Sequence, residues 1–327
     1  MEQRDFYLHL GFPKTATTAF QRSIFSTDSQ IAYLGKRSQS KTANSVAEKI
    51  FANLLWSSGK YWIDHGDLTR KNILEATEEL PHRTGGSVLV SEETLLGGCL
   101  GMFRVVSRWR EGRFVGLDLD TLAERLHLFS RHAWPEGRVR ALITLRRQDH
   151  LLASLFAQTF LWRRAGGCNS LEQLAEQIID QDYYSMGGLA LDYNGLIERF
   201  EQALGPESVK IIFFEDINND LSQVVRTLQD SVGIDPHLVQ QALSKPKYKV
   251  RRVDEASWTV LRHTGTNRFK HLVETIGDFM NGRKTPSVTK LTPELSRFIM
   301  NRYRESNRLL EKRVGRDLSA YGYTSSS

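Results

Sequence analysis

The stretch Gly11-Phe12-Pro13-Lys14-Thr15-Ala16-Thr17-Thr18 decides how this 327-residue chain is read. It follows an apolar run, Phe6-Tyr7-Leu8-His9-Leu10, and leads into Ala19-Phe20-Gln21-Arg22-Ser23-Ile24-Phe25, whose spacing predicts a helix. A tight turn from strand to helix aims successive backbone N–H groups, and the positive end of the helix dipole, at one point. An oxyanion is stabilised there. Lys14 and the hydroxyls of Thr15, Thr17 and Thr18 add a mobile positive charge and three further donors. The competing reading is a threonine-capped helix N-terminus that binds nothing.

Working outward from this turn, short β-branched and apolar runs recur at 6–10, 31–34, 87–90, 139–145 and 209–214. Helical patterns fall between and after them, near 41–56, 67–80, 119–132, 149–164, 193–204, 221–232 and 293–314. Strands separated by helices of this length require parallel crossovers, so the fold class is α/β, a central parallel sheet flanked by helices on both faces. No linker or repeat divides the chain, which reads as a single domain, 1–327. Its C-terminal third, about 245–316, is basic and mainly helical. Ligands of such sheets bind outside the carboxyl ends of the strands. Ser91-Glu92-Glu93 follows the third strand and Arg146-Arg147-Gln148-Asp149 the fourth, so carboxylates and guanidinium groups join the lysine turn on one edge.

Arg146 ends a predicted strand and Ser154 stands eight residues later on a predicted helix, a spacing that lets both close on one anion. The alternative pairs Arg146 with Asp149 and leaves Ser154 packed on the helix.

The lysine turn is not a Walker A motif, in which lysine follows the last glycine. Its order, Pro13-Lys14-Thr15-x-Thr17-Thr18, resembles the 5'-phosphosulfate loop of the sulfotransferase family, whose donor is 3'-phosphoadenosine 5'-phosphosulfate (PAPS) and whose nucleotide product is 3'-phosphoadenosine 5'-phosphate (PAP). Ala141 to Arg146 with Ser154-Leu155-Phe156 resembles that family's 3'-phosphate site. Weaker likeness to bacterial, carbohydrate-sulfotransferase-like members runs through Ser91-Glu92-Glu93, Leu191-Asp192-Tyr193, Phe213-Phe214-Glu215-Asp216 and Tyr303 to Leu310. The resemblance implies a P-loop-NTPase-like sheet. It also implies that Pro13, Lys14, Thr15, Ala16, Thr17 and Thr18 hold the sulfonate end of the donor, with Lys14 on the bridging oxygen, and that Arg146 and Ser154 hold the 3'-phosphate. Ala16 stands where the family commonly has glycine, so the turn must adopt a backbone geometry that a Cβ tolerates. Arg146-Arg147-Gln148 stands where Arg-Asp-Pro is common.

Sulfonyl transfer needs a base, and Glu93 matches the carboxylate of the Ser-x-Glu turn, with Glu92 directed to a salt bridge. His65, beside Asp64 in Trp62-Ile63-Asp64-His65-Gly66, is the alternative base, against the reading of an exposed loop histidine. Phe51, Trp56, Tyr61 and Trp62 would either stack on an acceptor or pack in the core. Lys247, Lys249, Arg251 and Arg252, and the pair Arg283-Lys284, would either face an anion or form a solvated edge.

Composition narrows the classes. Hydrophobic residues make up 40% and charged residues 25%, an ordinary globular balance. No apolar run reaches the roughly 20 residues of a membrane span, and Glu2-Gln3-Arg4-Asp5 precedes the first strand where a signal peptide would be apolar, so the chain reads as cytoplasmic. Cys99 and Cys168 fit buried free thiols rather than a disulfide framework, and no structural metal is expected. Residues 245–316 hold 18 lysine and arginine against 7 aspartate and glutamate, a net of +11 that leaves the rest at −5. No RNA-binding module, zinc-finger or basic-zipper pattern accompanies that charge, which argues against nucleic acid as a partner. The expected partner is a glycan or small-molecule acceptor. A nucleotide kinase or other triphosphatase on the same fold, and a non-catalytic nucleotide or polyanion binder, are the alternative classes.

Overall fold

The computed structural model describes residues 4–36, 38–80, 86–100, 108–110, 113–115, 117–165, 168–179, 188–244, 252–260 and 288–324. Lys247, Lys249, Arg251 and the pair Arg283-Lys284 lie outside them, and of Arg252 only the backbone is described.

Among the described residues, five strands form one parallel sheet: β1 (Phe6–His9), β2 (Ala32–Gly35), β3 (Val88–Ser91), β6 (Val139–Leu145) and β7 (Val209–Phe213), in the order β2-β3-β1-β6-β7. Each coincides with a strand read from the sequence to within a residue at either end. Two small antiparallel sheets were not anticipated: the hairpin of β4 (Arg108–Arg110) and β5 (Arg113–Val115), and β8 (Arg252–Asp254), β9 (Ser257–Thr259) and β10 (Val288–Lys290).

The alternation of side chains along each strand sorts the core into two layers. Phe6, Leu8, Val88, Val90, Ala141 and Ile143 point into one core. Helices α2 (Lys41–Trp56), α3 (Lys60–Glu78), α5 (Leu119–His132), α6 (Gln148–Ala165) and α8 (Tyr193–Leu204) cover it, with α4 (Thr94–Cys99) and α7 (Leu171–Ile179) at its margins. Tyr7, Leu89, Leu142 and Ile212 point the other way, against α1 (Thr17–Phe20), the π-helical turn 21–25 and α10 (Leu221–Val232). Between β7 and α10 lies the single turn α9 (Asp216–Asn219), and α11 (Pro236–Leu243) closes that second layer through Val239. Both faces are therefore helix-covered. Cys99 and Cys168 are buried free thiols. No helix among the described residues is long and apolar enough to cross a membrane.

Helices α4, α7, α9 and α11 were absent from the sequence reading, and two of the helices it did contain differ in the structure. The predicted 67–80 helix begins earlier, as α3 at Lys60, so His65 sits on a helix rather than a loop. Gly66 lies inside that helix. A Cβ there would lie 2.4 Å from the carbonyl oxygen of His132, so this glycine serves close packing of α3 against the end of α5, not a turn. The predicted 293–314 helix is two, α12 (Pro293–Arg302) and α13 (Arg304–Val314), broken at Tyr303. The break lets Leu295 and Ile299 of one and Asn307 and Leu310 of the other all turn inward.

The strand order fixes where a ligand can sit. From β1 the chain leaves toward β2, and from β6 it leaves in the opposite direction, toward β7. The crevice where adjacent connections diverge, outside the ends of β1 and β6, is the switch point of the sheet. The lysine turn and Arg146 flank it.

Candidate active site

The lysine turn has the backbone that an anion seat requires. Lys14 has φ of 73° and Ala16 a φ of 63°, whereas Thr15 between them is not among the positive-φ residues. Alternation of this kind curls successive N–H groups toward one side, forming a concave cradle of donors. Thr15 Oγ1 donates to the Phe12 carbonyl at 2.5 Å and Thr17 Oγ1 to the same oxygen at 3.3 Å, which fasten the turn from inside. Thr15 and Thr17 are buried while Thr18 is exposed, so the three threonines divide between support and surface. Ala16 occupies the left-handed region at ψ of 13° as the residue before α1, the geometry its Cβ was expected to have to tolerate.

Arg146 reaches this turn from the next strand. Its Nη1 donates to the Lys14 carbonyl at 3.0 Å, its guanidinium lies 4.5 Å from the centroid of the Phe214 ring, and its own carbonyl accepts from the Tyr193 hydroxyl at 2.5 Å. The pairing of Arg146 with Asp149 is not what forms. Arg147 takes that carboxylate instead, with Nε to Oδ1 at 2.7 Å and Nη2 to Oδ2 at 2.9 Å. The backbone explains the exchange: Arg146 is the residue directly after β6 and points to the crevice, whereas Arg147 turns toward the C-terminal segment and the Tyr321 carbonyl. Burial opposes the charge of Asp149, but the bonds from Arg147 and Ser296 hold its pKa below the usual value. Ser154, two helical turns along α6, is buried.

The two glutamates after β3 have separate roles. Glu92 Oε1 accepts from the amides of Glu93 and Thr94, at 3.0 and 3.2 Å, and from Lys36 Nζ at 3.2 Å. It therefore caps α4 and forms the expected salt bridge. Glu93 makes no cap. Burial raises its pKa above the ordinary carboxylate range; Lys36 opposes that rise, Glu92 adds to it, and Lys14 and the Thr17 hydroxyl pull it back. Glu93 is thus in the electrostatic company of the lysine turn. His65 is not brought there: it is exposed on α3, its ring stacked on Tyr61 with centroids 4.8 Å apart, and Asp64 is bonded to Lys60. Of the four aromatics Phe51, Trp56, Tyr61 and Trp62, Phe51 and Trp62 belong to the core, Tyr61 packs half-buried against it and Trp56 is exposed.

Several residues at this edge have partners or roles that the sequence did not reveal. Lys36 follows β2 and is the cation nearest in effect to Glu93. Glu215 accepts the Arg147 amide at 2.9 Å and the Tyr323 hydroxyl at 3.2 Å, and burial raises its pKa. His9, Ser91 and Thr144 form a polar group beneath the crevice. A histidine and a threonine inside otherwise apolar strand runs were the available signal.

The chain is similar to the crystal structure of a sulfotransferase from Alicyclobacillus acidocaldarius, at 17% identity over 98% of this chain and 99% of that one, with a TM-score of 0.50. No protein-family model matches the chain. A search of curated proteins gives no match either. The structural likeness shows the fold, an α/β arrangement of a central parallel sheet flanked by helices that this chain shares with that protein.

Proposed function

We propose that this chain is a cytoplasmic PAPS-dependent sulfotransferase, working as one unit over 1–327, that moves a sulfonyl group from PAPS to a hydroxyl or amine of a carbohydrate or small-molecule acceptor. One observation carries the reading. The bond from Arg146 to the Lys14 carbonyl ties the lysine turn to the residue after β6, 132 positions on, and the half-buried Glu93 carboxylate feels the charge of Lys14. Two seats at one crevice suit a nucleotide that bears phosphate on both sides of its ribose. The amides of Lys14 to Thr18 and the Lys14 ammonium hold the 5'-phosphate and sulfonate end. Arg146, directly after β6, and Ser154, in the N-terminal half of α6, hold the 3'-phosphate.

Transfer then asks three things of these residues. Glu93 accepts the proton of the acceptor hydroxyl as its oxygen bonds to sulfur, and its raised pKa makes it a stronger base than an ordinary carboxylate. The turn amides stabilise charge on the sulfonyl oxygens. Lys14 neutralises the bridging oxygen as its bond to sulfur breaks and PAP leaves.

Calorimetry and transfer assays test the proposal together. PAP is expected to bind at least tenfold more tightly than AMP, and Arg146→Ala to remove the difference. Glu93→Gln is expected to keep PAP affinity and lose turnover in a screen of acceptors with sulfur-labelled PAPS. Equal affinity for PAP and AMP would refute the donor assignment, and full turnover in Glu93→Gln would refute the base.

A further inference from the structure

We infer that His9 is a positioning residue that holds the three strand ends of the crevice at fixed spacing, through hydrogen bonds to Ser91 and Thr144. Its catalytic meaning rests on the proposed sulfonyl transfer, whereas its mechanical role does not.

His9 is the last residue of β1, the central strand, and is fully buried. Its Nδ1 lies 2.7 Å from Ser91 Oγ, at the end of β3, and its Nε2 lies 3.1 Å from Thr144 Oγ1, near the end of β6. Its carbonyl accepts from the Glu92 amide at 3.1 Å. From the π-helical turn, Gln21 Nε2 donates to the Ser91 hydroxyl at 3.1 Å and to the Ser91 carbonyl at 3.3 Å. With Gln21 donating, the Ser91 hydroxyl is free to donate to Nδ1, leaving Nε2–H to donate to Thr144; every group is then used in one consistent direction.

The positions of the bonded groups are what give the network meaning. Ser91 stands two residues before Glu93, Thr144 two before Arg146, and His9 two before Gly11, which opens the lysine turn. A Cβ built on Gly11 would lie 3.0 Å from Thr17 Oγ1, 3.1 Å from Thr15 Oγ1 and 3.5 Å from His9 Cε1, so the histidine ring packs at the start of the turn, close to the residues that shape it. A buried polar network is costly to desolvate, and an apolar ring would fill the same space between Phe20 and Phe25, whose centroids are 5.6 and 5.1 Å away. Hydrogen bonds fix distance and direction where apolar packing permits sliding. Burial also lowers the imidazole pKa to about 3, so the ring stays neutral and the bonding pattern constant across the working pH range.

The test compares His9→Phe, His9→Gln and Thr144→Val with Leu142→Ala, a core substitution on the neighbouring strand that leaves the network intact. Hydrogen exchange is read at the amides of 11–18, 92–95 and 147–151, and kcat and KM in the transfer assay. For His9→Phe we expect exchange at least tenfold faster at all three turns and kcat lowered at least tenfold, with acceptor KM within threefold of the parent. His9→Gln, which retains a donor and an acceptor, should recover part of both. The double variant His9→Phe/Thr144→Val should be no worse than His9→Phe. Leu142→Ala should lose stability without this three-turn pattern or the kcat loss. The inference is overturned if His9→Phe keeps parental exchange at the turns, or if Leu142→Ala reproduces its pattern. Should His9→Phe fail to fold, His9→Gln against Leu142→Ala decides by the same criteria. If the parent protein transfers no sulfonyl group, the functional reading falls and the exchange data alone decide the role of His9.

Discussion

Glu93 is set by its neighbours more than by its own chemistry. Burial and the adjacent Glu92 favour its neutral form, while Lys36, Lys14 and the Thr17 hydroxyl favour the carboxylate. In the proposed transfer Glu93 must be unprotonated to act, so activity on the acid side is expected to be lost as pH falls through the Glu93 pKa. Lys36→Ala removes the strongest of the charges that oppose the rise. The Glu93 pKa then climbs further, and the acid limb of the kcat/KM profile moves to higher pH. A titration of initial rates from pH 5 to 8 checks this; a limb that stays in place or moves down would separate Lys36 from the base. Sequence reading placed Glu93 correctly at the sheet edge and sent Glu92 to a salt bridge. It did not find Lys36, because nothing local to Gly35-Lys36 announces that β2 and β3 are neighbours, pairing Gly35 with Ser91.

At the scale of the element, the turn from β1 into α1 is where local sequence and local strain meet. Ala16 adopts a left-handed backbone that costs an L-residue roughly 1–2 kcal/mol, part of which glycine would recover. Ala16→Gly is therefore expected to stabilise the protein by roughly 0.5–1 kcal/mol in urea denaturation, after allowance for the greater freedom of glycine when unfolded. PAP affinity should be retained, since the amides keep their directions. Helix starts were legible in the apolar pattern at α2, α5, α8 and α10, and the structure caps each of them with Ser40, Asp118, Asp192 or Asp220, which accepts a bond from its own first turn. They were not legible at Gly66, because a glycine that permits helix contact and a glycine that ends a helix look alike in sequence. Only the His132 backbone facing it distinguishes them.

Across the whole molecule, the C-terminal segment is a structural partner of the crevice. Gln148, which opens α6 beside Arg146, donates to Asn307 Oδ1 at 2.7 Å, and Asn307 Nδ2 donates to the Tyr323 carbonyl at 3.1 Å. Asn307 is fully buried. Asn307→Leu leaves the Gln148 amide and the Tyr323 carbonyl buried without this partner, a cost of about 2–3 kcal/mol. We expect a lower denaturation midpoint and weaker PAP binding, because the start of α6 loses its brace; unchanged PAP affinity at reduced stability would confine the bond to the fold. The sequence by itself determined the alternation of strands and helices and the chemistry of the lysine turn. Both follow from residues within a few positions of one another, through side-chain periodicity and the conformational range of each residue. The tertiary structure alone decided the partners: Arg147 rather than Arg146 takes Asp149, Glu92 rather than Glu93 caps α4, and His9 joins groups 82 and 135 residues away. Those choices depend on which strand ends the sheet order sets side by side, and that order is settled by burial of the whole chain rather than by any segment of it.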